Sequence, residues 1–177
     1  MLRRYGEVLN IPVICADSGK KAGVVKDVMF SPDKKEVKAF LLENTGLSLK
    51  KKVVFFEKLS HLGGDAAVIG DSGSVTEMDR QDYAVAFPEE GRLLGLKVFS
   101  KTGGEIGSVR DVIFDGISGK VEGFEISDGL FQDVMGGRKM LPLFGRVELG
   151  KDFAVVENEA IEEMQGTGGG IKNKLLK

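Results

Sequence analysis

Short apolar runs separated by turns rich in glycine and aspartate dominate the chain, a pattern typical of β-strands. Val13–Cys15 is the first such run, Asp17–Gly23 is a turn, and Gly23–Phe30 (GVVKDVMF) is a longer run. A second turn, SPDKKE, leads into VKAFLLE, so these two runs predict a β-hairpin. Apolar residues fall on both faces of GVVKDVMF, which predicts a strand that curls through a small barrel and carries a bulge.

This pattern occurs twice. Leu9–Leu42 aligns without gaps to Leu93–Ile126 at an offset of 84 residues, and nine of the 34 pairs are identical. The identical pairs are Leu9/Leu93, Gly19/Gly103, Gly23/Gly107, Val25/Val109, Asp27/Asp111, Val28/Val112, Phe30/Phe114, Val37/Val121 and Phe40/Phe124. Further along, Leu62–Ile69 resembles Leu149–Val156 at an offset of 87. A repeat of this length predicts two copies of one domain.

Within each copy the repeated residues predict particular backbone and core positions. Gly19 and Gly103 lie in the first turn and are expected to adopt a positive φ, which glycine reaches without steric cost. Val53–Phe56 is expected to form a fourth strand of the first copy. Two side-chain pairs on the second hairpin strands are expected to point inward: Phe40 with Leu42, and Phe124 with Ile126.

The remaining segments set the limits of the predicted domains. We expect the first domain over residues 1–70, a linker over 71–91, the second domain over 92–164, and a flexible basic tail over 165–177. A capping box at Ser74–Glu77 is expected to start a short helix in the linker. Glu157–Met164 is expected to be a second short helix, and Leu130–Met135 has the spacing of about one and a half helical turns.

The formal net charge is only −2, but the charges are unevenly distributed. Residues 1–70 carry 12 Lys/Arg against 8 Asp/Glu, and residues 93–164 carry 8 against 13. Residues 71–92 are acidic, with 2 against 6, and residues 165–177 add three lysines. The two domains are thus of opposite sign. This reflects either solvated surfaces that diverged after duplication or a dipolar molecule that orients on a charged partner.

Cysteine usage and hydropathy indicate a cytoplasmic protein. The single cysteine, Cys15, excludes an internal disulfide and fits a reducing compartment. It aligns with Phe99 and is expected to be a small buried residue rather than a reactive thiol. No apolar run approaches the ~18–20 residues needed to cross a bilayer, and the first ten residues do not resemble a secretory signal.

The residue types needed for common catalytic sites are scarce. One histidine, His61, and one cysteine cannot assemble a zinc site of the usual composition. His61 aligns with Glu148 and is expected to lie at the surface or to serve the structure. The glycine groups GGEIGS and GTGGG match neither the dinucleotide fingerprint nor the P-loop. We therefore predict no catalytic residue, no cofactor and no metal.

Aspartates inside the repeats need a separate explanation. Asp27 and Asp111 interrupt apolar strands in both copies. They are expected to bond to backbone N–H groups at a bulge or turn, and ligand or partner binding is the alternative. Asp65 and Asp152 lie in Gly-x-Asp turns, where aspartate side chains commonly bond to the backbone.

Two stretches, GVVKDVMF with VKAFLLE and GSVRDVIF with VEGFEIS, resemble the PRC-barrel family. That family includes the cytoplasmic domain of the photosynthetic reaction-centre H subunit and the carboxy-terminal domain of a ribosome-maturation factor. The resemblance covers residues 5–70 and 92–158. It implies a small β-barrel that serves as a binding or assembly module, and it supplies no catalytic residues to transfer. We expect neither a membrane-spanning helix nor a separate domain ahead of the first barrel, since residues 1–8 are too few.

The sequence therefore predicts an all-β, non-enzymatic protein of two tandem PRC-barrel-like domains. We expect it to bind another macromolecule, and a protein is the favoured class of partner. Two loops that differ between the copies, Asn44–Lys52 and Ser127–Lys139, are the candidate contact surfaces. Three apolar residues of the second loop are either exposed anchors or core: Leu130, Phe131 and Met135.

Two other functions follow from the same residues. RNA or ribosome association would use basic residues of the first domain, which are Lys20, Lys21, Lys34, Lys35 and Lys50–Lys52. An enzyme or small-ligand carrier would use Asp27 and Asp111. Membrane insertion is not expected, and a homo-oligomer is left open.

Overall fold

A computed structural model describes residues 1–31, 33–44, 48–88, 92–127, 139–143 and 147–166. The chain is all-β, with two curled sheets and, within these residues, three short helices. This confirms the predicted fold class. Contacts divide the chain into two compact units, the first made of Met1–Gly91 with Phe114–Lys120 and the second of Arg92–Ile113 with Val121–Lys177. The predicted domain limits stay a prediction.

The first sheet has the strand order β6-β7-β2-β3-β4-β5-β8. The elements of this part of the chain are β1 (Leu2–Arg4), α1 (Tyr5–Val8), β2 (Pro12–Cys15), β3 (Lys21–Ser31), β4 (Glu36–Leu42), β5 (Lys51–Phe55), β6 (Leu59–Leu62), β7 (Ala67–Ile69), β8 (Thr76–Met78) and α2 (Arg80–Ala86).

The strands of the second copy follow the order β12-β11-β10-β9-β14-β13. They are β9 (Lys97–Ser100), β10 (Glu105–Asp115), β11 (Val121–Ile126), β12 (Lys139–Pro142), β13 (Val147–Leu149) and β14 (Phe153–Val156). The helix α3 (Asn158–Gly166) packs against β12. It begins one residue after the start predicted for this helix.

In each curled sheet, a strand from the start of the copy pairs in parallel with a strand from the end of the same copy. β2 pairs with β7, with Val13 opposite Ala67, and β9 pairs with β14, with Val98 opposite Ala154. All four side chains are completely buried. The repeat at offset 87 predicted a final strand in each copy. These strands are β7 and β14, which pair with β2 and β9, respectively.

The predicted inward-facing residues form the cores. Phe40, Leu42, Phe124 and Ile126 are all buried. The pairing of β3 with β4 shifts register between Val25 and Asp27, and again near Phe30, which confirms the predicted bulge. The strand curls at these register shifts, and apolar side chains on both faces of β3 can therefore be buried.

The glycine of the repeated motif permits close approach between neighbouring strands. A Cβ atom on Gly23 would lie 2.9 Å from Leu42 Cδ1. A Cβ on Gly107 would lie 2.5 Å from the Ser127 carbonyl oxygen and 2.7 Å from Ile126 Cγ2, and Gly107 has φ +153°. Glycine therefore avoids a contact with a side chain in the first copy and a contact with the backbone in the second, and the steric requirement is stricter at Gly107.

Backbone hydrogen bonds correct the gapless alignment at the start of the repeat. The Asn10 N–H donates to the Val25 carbonyl, and the Gly95 N–H donates to the Val109 carbonyl. Asn10 and Gly95 both have positive φ, at 64° and 83°. They are therefore equivalent at an offset of 85, although Val25 and Val109 keep the offset of 84.

The same shift changes the equivalent of Cys15. The Gly19 N–H donates to the Cys15 carbonyl, and the Gly103 N–H donates to the Ser100 carbonyl. Cys15 and Ser100 are both buried. Cys15 thus corresponds to Ser100 rather than to Phe99, because the first turn of the second copy is one residue shorter. Gly19 and Gly103 themselves have the predicted positive φ, at 65° and 89°.

The predicted capping box at Ser74–Glu77 does not start a helix. Residues Ser72–Ser74 form a single 3-10 turn and Thr76–Met78 form β8. The helix begins at Arg80, where the Asp79 carboxylate accepts a hydrogen bond from the Asp82 N–H at 2.8 Å. Asp79 is therefore the N-cap, as its residue type allows.

The segment expected to be a linker contributes to the first sheet. β8 pairs with β5, and α2 with the residue after it covers the outer face of the sheet. Phe87 is buried in a cluster with four sheet residues: Met29, Ala39, Leu41 and Val53. This packing explains why β4 is buried on both faces.

Candidate interaction surfaces

Asp27 lies at the bulge of β3 and is held by two hydrogen bonds. Its Oδ1 accepts from the Val28 backbone N–H at 2.8 Å and from the Tyr5 hydroxyl at 2.8 Å. The carboxylate is half-buried. Asp27 therefore ties α1 to β3, which is a structural role.

Asp111 makes the same local bond in β10. Its Oδ1 accepts from the Val112 backbone N–H at 2.8 Å, and it is also half-buried. A carboxylate that caps the next backbone donor explains why an acidic residue interrupts an apolar strand in both copies. Asp27 lies in the first unit and Asp111 in the second. These bonds favour the structural interpretation over ligand binding.

The turns that contain Asp65 and Asp152 are held by backbone hydrogen bonds and not by the aspartate side chains. The Gly63 N–H donates to the Ala66 carbonyl, and the Gly150 N–H donates to the Phe153 carbonyl, each at 2.9 Å. Asp65 and Asp152 are exposed. The prediction that their side chains bond to the backbone is wrong for the described residues, because backbone bonds between the flanking residues suffice.

His61 and Cys15 occupy unrelated positions. His61 is exposed on β6 and pairs with Val68 of β7, whereas Cys15 is buried in β2. Within residues 1–31, 33–44, 48–88, 92–127, 139–143 and 147–166, no group of three or more metal-binding side chains comes together.

Lysines of the first sheet interact with the segment that follows that sheet. Lys52 Nζ lies 3.7 Å from Glu77 Oε1, and Lys38 Nζ donates to the Ala86 carbonyl at 2.7 Å. Lys51 Nζ lies 5.9 Å from the Tyr83 ring centroid. The whole first unit carries 14 Lys/Arg against 15 Asp/Glu, a net charge of −1. The positive sign expected for this domain is therefore offset within the unit.

The turn that follows β10 is organised by Asp115. Its Oδ1 accepts from the Ile117 and Ser118 backbone N–H groups at 3.0 and 2.8 Å, and its Oδ2 lies 2.6 Å from the Met1 ammonium. The ammonium is the largest of the causes that hold the pKa of Asp115 well below its usual range, and the turn N–H groups contribute further. All of these groups belong to the first unit.

Changing Asp115 to Asn should weaken the dependence of stability on acid pH. A lowered pKa in the folded state stabilises the protein above the unfolded value of about 3.9, and this stabilisation is lost as the pH falls below that value. Because both groups are partly exposed, we expect the variant to be less stable by only about 1 kcal/mol at pH 7. Urea unfolding from pH 7 to pH 2.5 measures this, and a difference that does not shrink below pH 4 would contradict it.

The two loops predicted as contact surfaces lie largely outside the described residues. Of Asn44–Lys52, the structure describes Asn44 and 48–52, and Leu49 is 92% exposed. Of Ser127–Lys139, it describes only the two end residues. The three apolar residues named there, Leu130, Phe131 and Met135, fall outside. The exposure of Leu49 is consistent with a contact role for the first loop.

An aromatic pair on the second copy forms a further exposed apolar surface. The Phe99 and Phe153 rings meet edge to face, with centroids 5.4 Å apart, on the parallel strands β9 and β14. Phe153 is 50% exposed, and Phe99 and Val155 are half-buried on the same side. Phe99, Phe153 and Val155 are called the aromatic face from here on.

Sequence reasoning missed the aromatic face because of the shifted register. At an offset of 87, Phe153 corresponds to Ala66. The strand pairing makes Phe99, opposite Val155, the equivalent of Ile14, opposite Val68, rather than of Cys15. Two smaller residues of the first copy are thus aromatic in the second. The signal was the Ala66/Phe153 difference, where the neighbouring Ala67/Ala154 and Val68/Val155 pairs are identical.

Comparison with known proteins identifies both copies. The family model described as PRC-barrel domain matches residues 2–70 and again residues 91–161, which together make up more than half of the chain. No curated protein is detectably similar to the chain. None of the helices in the described ranges has both the length and the apolar character needed to cross a bilayer.

Proposed function

The chain belongs to the PRC-barrel family, and from that premise we propose that it is a non-enzymatic, cytoplasmic module that binds another protein. Domains of this family are generally interaction modules of a non-catalytic type. The lone buried cysteine supports a reducing compartment. The aromatic face is the single observation that carries the choice of surface.

Aromatic side chains are enriched at protein interfaces because they provide large contact areas at a small cost in conformational entropy. The aromatic face has two aromatic side chains where its counterpart in the first copy has Ile14 and Ala66, although the surrounding framework is shared. Ion pairs surround it, with Lys97 Nζ 3.5 Å from Glu105 Oε1 and Lys101 Nζ 2.7 Å from Glu157 Oε1. An apolar centre with a charged rim is the usual composition of a protein-binding surface.

Affinity capture with three forms of the full chain tests this function. The wild type and Ile117→Asp should retain the same protein partner from native lysate, whereas Phe153→Asp should bind it at least about tenfold more weakly. Ile117 is 80% exposed in the first unit and is a matched control for a charge placed on an exposed apolar residue. Equal capture by all three forms would remove the aromatic face as the contact surface.

The same experiment separates protein binding from the alternatives. Nuclease treatment before capture should leave the partner bound, and filter binding to RNA across a salt series should show no affinity at low salt. The net charge of −1 on the first unit gives the RNA alternative less support than the charge of residues 1–70 suggested. Light scattering of the wild type and Phe153→Asp shows whether the partner is a second copy of this chain.

A further inference from the structure

The outer face of β3, β4 and β5 is apolar and is covered by a segment of the same chain. That segment, Thr76–Phe87, comprises β8 and α2 and is called the strap. Phe87 is buried, and three half-buried residues pack with it: Met78, Tyr83 and Ala86. Beneath them lie Met29, Ala39, Leu41, Val53 and Phe55.

The outer face of the first copy is more apolar than that of the second copy at two positions of β4. In the second copy, Ala39 and Leu41 correspond to Gly123 and Glu125, at the same offset that aligns Phe40 with Phe124. The second copy therefore has a glycine and a carboxylate where the first has two buried apolar side chains. Ile113, the counterpart of Met29, is also buried, so the difference between the copies lies at these two positions of the fourth and eleventh strands.

The strap and the face are complementary in charge and shape. The strap carries one arginine against three acidic residues, and three sheet lysines face it. Lys52 pairs with Glu77, Lys38 lies 5.2 Å from the Phe87 ring centroid, and Lys51 lies over Tyr83. Tyr83 on α2 and Phe87 just after it are four residues apart, and both rings meet the apolar face and a lysine. The centroids of the stacked Phe55 and Phe87 rings lie 6.2 Å apart.

The strap is attached by interactions that are individually weak. β8 pairs with β5 over three residues, Lys51–Val53 opposite Thr76–Met78. The helix is seven residues long, and of the twelve strap residues, all of which the structure describes, only Phe87 is buried. Exposed ion pairs and cation–π contacts add little. Segments with few buried contacts open locally without global unfolding.

We propose that the outer face of β3–β4–β5 is a peptide-docking surface that the strap occupies in cis. Its ligand in trans is an acidic peptide with two aromatic side chains four residues apart, like Tyr83 and Phe87. The proposal rests on the proposed binding function and adds a second surface and the chemistry of its partner. Opening of the strap releases the lysines and the apolar residues together, so the closed strap lowers the apparent affinity for the peptide.

Fluorescence anisotropy with a labelled peptide of residues 74–88, SVTEMDRQDYAVAFP, tests the proposal on the full chain. Phe87→Ala loosens the strap and should bind the peptide at least tenfold more tightly than the wild type. The peptide in which Tyr and Phe are replaced by alanine should not bind. Adding Lys38→Gln or Lys52→Gln to Phe87→Ala should weaken binding at least threefold, and Lys58→Gln, at an exposed lysine away from the strap, should not.

Hydrogen exchange measured on the wild type gives an independent result. Strap amides should exchange at least tenfold faster than those of β3 and β4. Strap amides that exchange only with global unfolding would overturn the proposal. So would a folded Phe87→Ala chain that fails to bind the peptide, or one that binds a scrambled peptide equally well.

Two further arrangements keep the test decisive. If Phe87→Ala does not fold, Tyr83→Ala replaces it, because Tyr83 is only half-buried. Capture through the aromatic face uses the wild type with its strap closed. Loss of peptide binding with intact capture therefore rejects this proposal alone, and the reverse result rejects only the proposed use of the aromatic face.

Discussion

Gly107→Ala is expected to destabilise the second unit by about 3 kcal/mol or more. The new Cβ would lie 2.5 Å from a backbone carbonyl oxygen of Ser127, and an L side chain is strained at φ +153°. The Ser127 N–H donates to the Ser108 carbonyl at 2.8 Å, so the carbonyl cannot move without disturbing the strand pairing. Chemical denaturation followed by circular dichroism measures the loss.

Gly23→Ala is the matched comparison from the first copy. Its close contact is with Leu42 Cδ1, the end of a flexible side chain that can rotate away. We expect this variant to lose only about 1 kcal/mol. Gly70→Ala, whose Cβ would meet no atom within 4 Å, should change stability by less than about 0.5 kcal/mol. Equal losses for Gly107→Ala and Gly70→Ala would refute the steric explanation of the motif.

Phe40→Ala and Phe124→Ala are each expected to cost about 3–5 kcal/mol. Both side chains are completely buried, and truncation removes their transfer free energy and leaves a cavity. The Phe40 ring lies 6.1 Å from the Phe56 ring, so that contact is lost as well. Thermal and urea unfolding of the purified variants measure both effects.

Phe153→Ala provides the control for phenylalanine truncation. The ring is half exposed and rests only on Phe99 among the described aromatic rings. Its replacement should therefore lower stability by less than about 1 kcal/mol. Should Phe124→Ala prove as mild as Phe153→Ala, Phe124 would not be a core residue of the second copy.

Local patterns predicted the hairpins and the inward-facing residues because both depend on side chains two positions apart. Phe124 and Ile126 flank the polar Glu125 in the second copy, and the repeat assigns Phe40 and Leu42 to the same positions in the first. The positive φ of Gly19 and Gly103 followed from the turn chemistry alone. These features require no knowledge of the rest of the fold.

Features set by contacts distant in sequence could not be predicted. The identical pair Leu9/Leu93 favoured an alignment without gaps at an offset of 84. The backbone hydrogen bonds of Asn10 and Gly95 show that these two residues are equivalent, at an offset of 85. A turn one residue shorter leaves no mark in composition. It nevertheless changed the interpretation of Phe99, which is half-buried in the aromatic face and is not the equivalent of the buried Cys15.

The helix of the strap shows a second limit. Ser74 and Glu77 have the spacing of a capping box, but Asp79 begins the helix because Tyr83 and Phe87 must reach the face of the sheet. Packing of these rings against Met29 and Phe55 outweighs the local signal. The apolar residues Ala39 and Leu41 in β4 were the available evidence that something covers this face.

The parallel pairing of β2 with β7 has a consequence for synthesis of the chain. Val13 pairs with Ala67, so the first curled sheet cannot be completed until a nascent chain has emerged past Ile69. Pairings between residues so distant in sequence form slowly and leave an open strand edge during the delay. A nascent chain arrested before Ile69 has emerged from the ribosome should therefore be prone to aggregate, whereas a chain arrested after Ile69 has emerged should not.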